Sequence, residues 1–583
     1  MTMPDDHMAA RSFGLKTAVM IIAGLIALFV TAAVLVVVFG ATKSVSRLIY
    51  HTIDLPGFVV FALVITLCLA LALPTGPARR IAAIDLAKLS PTFIAFSVLL
   101  ISVVGVQVVY QGYGFSMDEW MTQLQAEVFA SGRISGTVPE EWRPYGKAMY
   151  HGFASFDPQT GTVASNYRPG MAMIYAAFSL VGLGAYTSAI LNAVAILLIA
   201  RVARQLFPDH IEAPVIAALL LATSQQALAA SLTPYAMSAH LCLNLLWLTL
   251  FLENRWLTHV MAAAIGVATA SLHQIHAHLF FALPFLLTLL TPLRWRVLAI
   301  YAVIYAFGHA TVSGWDWISF NRHLLPVMAE APSLPQPPSG PQAGVLERAL
   351  GMFRLPSLLD WATITANLTR LIAWQSLALV PLLYVAVKTK GRFVWRRVLI
   401  ASVMFSLLPY LFLMPDQGHG WGYRYLHGLL GNLVLLAIPG WIALGTLQTK
   451  PRFKAWVILC LAGTVLFMIP LRALQIGTMV RPYAAATALA SQQDADVVII
   501  DSYRVWIGGD IPRNSAVTPA RPVQMDLRDL SAKQITTLCK AYTVIVLDND
   551  AIHKLGVRVS ADPFGPLPDD FDAIEAALAE CGS

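Results

Sequence analysis

Long apolar runs alternate with short polar links along most of the chain. The runs centre in 17–40, 56–74, 91–110, 185–204, 212–230, 236–254, 258–275, 278–293, 296–312, 370–388, 396–414, 425–446 and 453–471. A membrane helix needs about 20 residues, with a lower limit near 17, so the pattern predicts about thirteen helices that span or nearly span a bilayer. The run at 278–293 is short and fits if it is shifted or tilted. The first run is longer than the roughly 7–15 apolar residues of a secretory signal and is read as a membrane helix.

Two links are long. The first, 111–184, opens with FSMDEW at 115–120. Ser116-Met117-Asp118-Glu119 fits a capping box, and two acids in a first turn suit the positive end of a helix dipole. Met117, Trp120, Met121, Leu124 and Val128 then recur at spacings of three and four, which predicts a helix lying along the membrane surface. FDPQTGTV predicts a tight turn between two short extended pieces. MAMIYAAFSLVGLG predicts a short interfacial helix. In the second long link, 313–369, Trp315 and Trp317 suit the headgroup belt, and APSLPQPPSGPQ predicts a mobile loop.

After about residue 472 the pattern changes. DADVVIIDS and AYTVIVLDND read as short strands and LSAKQITTLCKA as a helix, which predicts a small α/β domain. The expected organisation is an extra N-terminal helix pair at 1–90, a membrane region at 91–471 and a soluble domain at 472–583.

Composition supports this. Of 583 residues, 57% are hydrophobic and only 12% charged, against roughly 25% charged in soluble domains. The net charge of +7 reports topology and does not imply nucleic acid. With the N-terminus in the cytoplasm, Arg79, Arg80, Lys88, Arg201, Arg204, Arg255, Arg294 and Arg296 all fall inside. So do Lys388, Lys390, Arg392, Arg396, Arg397, Lys450, Arg452 and Lys454, as the positive-inside rule requires. Links 111–184 and 313–369 and the C-terminal domain are then extracytoplasmic. The five cysteines lack metal spacing. Cys68, Cys242 and Cys460 sit in apolar runs, whereas Cys539 and Cys581 lie in the external tail, where a disulfide is chemically permitted.

Four polar sets share the external side: Asp118-Glu119, Asn166-Tyr167-Arg168-Pro169-Gly170, His273 with His276 and His278, and the stretch Asp416–Tyr425 with His419, Arg424 and Tyr425. Ionisable groups near hydrocarbon are costly and tend to mark function. Each set also has a plainer reading. The acids could only cap. The histidines lack a carboxylate or fourth ligand for zinc. Arg168 could organise a turn, and Arg424 could reach for headgroups. Asp501 and Asp548 close strands, and Glu140 and Glu141 sit on a solvated loop.

Over roughly 90–475 the order of these sets resembles the GT-C glycosyltransferases of the protein O-mannosyltransferase and aminoarabinose lipid A transferase type. Asp118-Glu119 followed by Ala130-Ser131-Gly132 resembles that group's acidic pair, which opens an interfacial helix. Tyr167-Arg168-Pro169-Gly170 is similar to its Tyr-Pro-Pro-Gly, and Gly422-Tyr423-Arg424-Tyr425 to its Gly-Pro-Arg-Tyr. The chain departs in two ways: the acidic pair follows the third span instead of the first, and histidines stand where the group often has a lysine.

The resemblance implies a GT-C-like polytopic helical protein that moves a sugar, with inversion, from a polyprenyl-phosphate donor to a hydroxyl of an envelope acceptor. That acceptor could be lipid, polysaccharide or protein. Asp118 would be the base and Glu119 a supporting acid. Arg168, Arg424 and His419 would meet the donor phosphate. Tyr167, His273, His276, His278 and Tyr425 would contact substrate. A divalent cation on the acidic pair is compatible with this chemistry, and the setting would be a bacterial inner membrane. The rival expectations are a flippase of lipid-linked sugars and a non-catalytic envelope assembly protein.

Overall fold

The computed structural model describes residues 14–39, 44–150, 152–291, 293–319, 355–389, 393–413, 416–446, 451–518, 520–564 and 566–581. The Pro-rich stretch of 313–369 lies outside them. The protein is an α-helical polytopic membrane protein with a C-terminal α/β unit. Among the described residues, seven helices are long and apolar enough to cross a membrane: Leu15–Phe39, Val45–Ala72, Pro91–Val108, Gly184–Leu206, Trp295–Val312, Arg424–Gly445 and Pro451–Ser491. Shorter apolar helices, Ala213–Ala222, Met237–Glu253, Trp256–Ala270, His276–Leu287 and Leu379–Lys388, accompany them, together with Arg396–Leu413.

Several apolar runs are not single straight helices. The run at 212–230 divides into Ala213–Ala222 and Gln225–Ala230, because the Ser224 hydroxyl accepts the Ala227 amide and starts a new helix. The run at 370–388 divides between Leu358–Ala373 and Leu379–Lys388. The helix at Trp295 continues to Ser319, past the expected end at 312, since no proline interrupts it there. The last apolar run does not end near 471. It passes through a π-turn at Thr464–Met468 and continues as helix to Ser491, leading directly into the C-terminal sheet.

That sheet has three parallel strands, with Val497–Ile500 between Val523–Asp526 and Val544–Leu547. Helices Ala532–Ala541 and Phe571–Cys581 are joined by a disulfide between Cys539 and Cys581. The strand Val523–Asp526 was not expected; its short VQMD run carries little β signal. In the first long link, Ala154–Phe156 and Thr162–Ser165 form the expected antiparallel hairpin, with Ser155 opposite Ala164.

The apolar stripe of Met117–Ala130 does not lie on a membrane surface. Met117, Met121, Leu124 and Val128 are buried in one core with Trp142, Val497, Ile499 and Met525. Periodicity predicts an apolar face but not its partner. Here the C-terminal sheet and the loop around Trp142 cover it, and each fully buried large side chain contributes about 1.5–3 kcal/mol.

A buried polar cluster ties the N-terminal helices to the rest. Asp54 closes a π-turn, Tyr50–Asp54, and is 0% exposed. Arg370 Nε donates to Asp54 Oδ2 at 2.5 Å, and Trp374 Nε1 donates to Oδ1 at 2.6 Å. The Arg472 guanidinium stacks on Trp374 at 4.1 Å and donates to the Ile53 carbonyl at 3.0 Å. It lies against Gly57, where a Cβ would collide with it.

Candidate active site

FSMDEW forms the start of the helix Met117–Ala130. Ser116 is its N-cap, and its hydroxyl accepts the Glu119 amide at 3.4 Å. The expected capping box is only half made. Glu119 Oε2 accepts the Phe115 amide at 2.5 Å, one residue before the cap, and Tyr110 donates to Oε1 at 3.3 Å. The two acids therefore point to different places. Glu119 is 1% exposed and faces the interior, where burial pushes its carboxyl up to about 8.

Asp118 faces the other elements of the site. Burial would raise its carboxyl, but the Arg424 guanidinium and the Tyr167 hydroxyl outweigh that and hold it at about 2. Arg424 Nη1 donates to Oδ2 at 2.6 Å, and the Tyr167 hydroxyl donates to Oδ1. The pair is largely closed off: the Arg424 and Asp118 side chains are 12% and 11% exposed. Asp118 is thus held ionised at neutral pH, whereas burial favours the protonated form of Glu119.

Arg424 is delivered by a glycine-rich loop. Gly418, Gly420 and Gly422 take φ of +62°, +132° and +66°, which L side chains rarely adopt. Gly422 also packs on the Gln226 side chain. A 3₁₀ segment, Arg424–Leu429, follows and opens the helix Leu430–Thr446. The guanidinium sits 5.4 Å from the Tyr235 ring and 5.3 Å from the Tyr425 ring. Its Nε is buried without a hydrogen-bond partner.

Two cavities meet at this pair. A small one is lined by Asp118, Tyr167, Arg168 and His273. A larger one lies on the Arg424 side, with His240, His273, Tyr410, Tyr425 and His427 in its wall. The Tyr167 and His273 rings lie 5.0 Å apart. Burial pushes His273 down to about 4, so it is neutral. Asp118, Tyr167, Arg168, His273, Arg424 and Tyr425 are therefore brought together from links far apart in sequence.

Three expected residues lie elsewhere. His278 is buried between Asn244 and Tyr305, 2.9 Å from each. His276 contacts the Phe280 and Tyr410 rings. His419 lies 3.9 Å from Asp510 and edge-on to Phe115. Among the described residues, no three His, Cys, Asp or Glu side chains gather as a metal-ligand set.

Sequence reading missed the residues that tie the acidic helix to the C-terminal unit. The Met117 amide donates to Asp510 Oδ2 at 3.0 Å. Burial pushes Asp510 up to about 7, although Arg513 opposes this. Arg513 donates to the Gly114 carbonyl at 2.7 Å and stacks 4.9 Å from both Tyr113 and Trp120. Tyr235, which bonds Ser116 across 2.8 Å, was also missed. None of these stands in a motif.

Glu119 yields a pH prediction. Its folded carboxyl lies near 8, above its ordinary value of 4.5. Folding thus favours the protonated form. That stability is fully present below about pH 4.5 and is lost as pH rises towards 8. Between pH 7 and 8 the loss is about 1 kcal/mol. Glu119→Gln should flatten this part of the thermal-stability profile in detergent and keep most of the activity. An unchanged slope would mean that Glu119 is ionised throughout.

No family model matches the chain, and no curated protein matches it. Among solved structures it is similar to ArnT from Cupriavidus metallidurans in the apo state, with a TM-score of 0.42 and 12% identity over 79% of this chain and 90% of that one. It is also similar to ArnT from the same organism bound to undecaprenyl phosphate, with a TM-score of 0.45 and 12% identity over 76% of this chain and 90% of that one.

Proposed function

We propose that the protein is a membrane glycosyltransferase of a bacterial inner membrane, moving a sugar from a polyprenyl-phosphate donor to an envelope hydroxyl on the extracytoplasmic side. The observation that carries this reading is the ion pair between Asp118 and Arg424 at the junction of two cavities. The sequence resemblance and the external placement of all four polar sets support it.

The pair is a resting arrangement that substrates exchange. An arriving donor phosphate competes for the Arg424 guanidinium, whose Nε is still unpartnered. Asp118 is then free to accept a proton. The acceptor hydroxyl attacks the anomeric carbon from the face opposite the phosphate, a new C–O bond forms, and the hydroxyl proton passes to Asp118. The anomeric C–O bond to phosphate breaks, and its electron pair leaves with the phosphate beside Arg424. One displacement of this kind inverts the anomeric centre. The low proton affinity of Asp118 suits transfer concerted with phosphate departure.

Arg168, which precedes the helix Pro169–Ser179, adds positive charge to the wall of the small cavity. Glu119, protonated and turned inward, holds the helix start and takes no proton from substrate.

The test is release of free polyprenyl phosphate. Purified full-length protein is mixed with a panel of polyprenyl-phosphate sugars and a crude envelope-acceptor extract. Release that requires the extract is expected for one donor. Movement of intact lipid-linked sugar across vesicles, with no cleavage, would replace this reading with a flippase.

A further inference from the structure

The larger cavity has Arg424 in its wall and is partly open to the exterior. Its wall contains buried polar atoms that nothing in the protein satisfies. His427 is 1% exposed and its Nε2 has no partner; Ser406 is 4% exposed and its hydroxyl has none. His240 Nδ1 is in the same state. Buried polar groups are normally hydrogen-bonded, so three in one cavity point to a ligand.

The network behind His427 decides what it offers. Gln226 Oε1 accepts from Gln375 Nε2 at 3.1 Å and from the Tyr423 amide at 3.3 Å. That fixes the amide orientation. Gln226 Nε2 then donates to the Tyr423 carbonyl at 2.9 Å and faces His427 Nδ1 at 3.4 Å. His427 Nδ1 must accept, so the ring is neutral and its proton is on the unpartnered Nε2. The residues lining the cavity therefore include a buried, unpartnered His427 N–H, a buried, unpartnered Ser406 hydroxyl and the Arg424 guanidinium. Among the described residues, no Asp or Glu lines it.

We propose that this cavity holds the transferred glycosyl group, and that His427 and Ser406 select a neutral or acidic sugar rich in acceptor oxygens over an amino sugar carrying an ammonium. This rests on the glycosyltransferase reading above. An ammonium would meet the Arg424 cation and the His427 N–H, and the nearest carboxylate, Asp118, lies outside the lining and is paired with Arg424, whereas hydroxyl or carboxylate oxygens satisfy the His427 N–H and the Ser406 hydroxyl.

The experiment measures binding to full-length protein by native mass spectrometry. The probes are bare undecaprenyl phosphate and the same lipid phosphate carrying a neutral hexose, a hexuronic acid or an amino pentose. The hexose or hexuronic acid conjugate should bind at least about tenfold tighter than the amino pentose conjugate. Ser406→Ala and His427→Ala should each weaken the favoured conjugate by about tenfold, the range of one lost buried hydrogen bond. Bare undecaprenyl phosphate should bind these variants as it binds the wild type, and His427→Gln should restore much of the lost affinity. If the His427 variants fail to fold, Ser406→Ala decides alone. Equal or tighter binding of the amino pentose conjugate overturns the inference. So does equal weakening of bare undecaprenyl phosphate. Failure of every lipid phosphate to bind overturns the glycosyltransferase reading, and this inference with it.

Discussion

Asp118→Asn should lower sugar transfer by about 10²–10⁴-fold, the range expected when a positioned general base is removed, while the protein remains folded. The expectation of folding rests on the helix start. The Ser116 cap, the Glu119 contact with the Phe115 amide and the Asp510 contact with the Met117 amide do not involve Asp118. Asparagine can still accept from Arg424 through its carbonyl oxygen, with its NH2 donating to the Tyr167 oxygen in place of the bond that Oδ1 accepts, but it cannot take a proton. The loss should therefore appear in single-turnover release of polyprenyl phosphate, with binding of bare undecaprenyl phosphate changed much less. Release equal to that of the wild type would remove Asp118 as the base and leave it as a partner for Arg424 only. Loss of both release and lipid binding would make it a structural part of the pocket.

The largest expected loss of stability lies far from the site, at Asp54→Ala. Asp54 accepts from Arg370 and Trp374 with its two oxygens and is fully buried, and the Arg370 side chain is 1% exposed. Removing the carboxylate leaves the Arg370 guanidinium buried without its counter-charge, a change that costs about 3–5 kcal/mol. Arg472, stacked on the same Trp374, adds a second cation nearby. Thermal unfolding in detergent should report a clear drop. The double variant Asp54→Ala/Arg370→Met should recover much of it, because both charges are gone. Unchanged melting of the single variant would mean that water or lipid headgroups reach Arg370 and that the cluster is not dry. Transfer measured at low temperature should be less affected than stability, since no part of this cluster lines either cavity at Asp118.

Much of this protein follows from local sequence. Long apolar runs must satisfy their own backbone hydrogen bonds in lipid, so they are helical wherever they fall. The placement of Lys and Arg, from Arg79 to Lys454, gives each link an expected side by the positive-inside rule alone. The Ser116 cap, the FDPQTGTV turn and the strands at Val497 and Val544 are written in a few neighbouring residues, because capping, turn chemistry and β-branching act over that range. Four polar sets in the links were legible as sets for the same reason.

Which members of those sets meet was decided only by the tertiary structure. Asp118 and Arg424 are 306 positions apart, and nothing local chooses Arg424 over His419 as its partner. The positive-φ glycines turn the loop so that Arg424 enters the cavity and His419 goes to Asp510. The divergence of the acidic pair is also tertiary. Adjacent residues on a helix point about 100° apart, so one acid meets Arg424 and stays ionised while its neighbour is buried, where desolvation raises its proton affinity. The stripe from Met117 to Val128 announced a buried face, but besides the nearby loop around Trp142 it is covered by residues more than 350 positions later in the chain, in the sheet of Val497, Ile499 and Met525. Periodicity encodes how much surface a helix must bury, whereas the surface that covers it depends on where the rest of the chain folds.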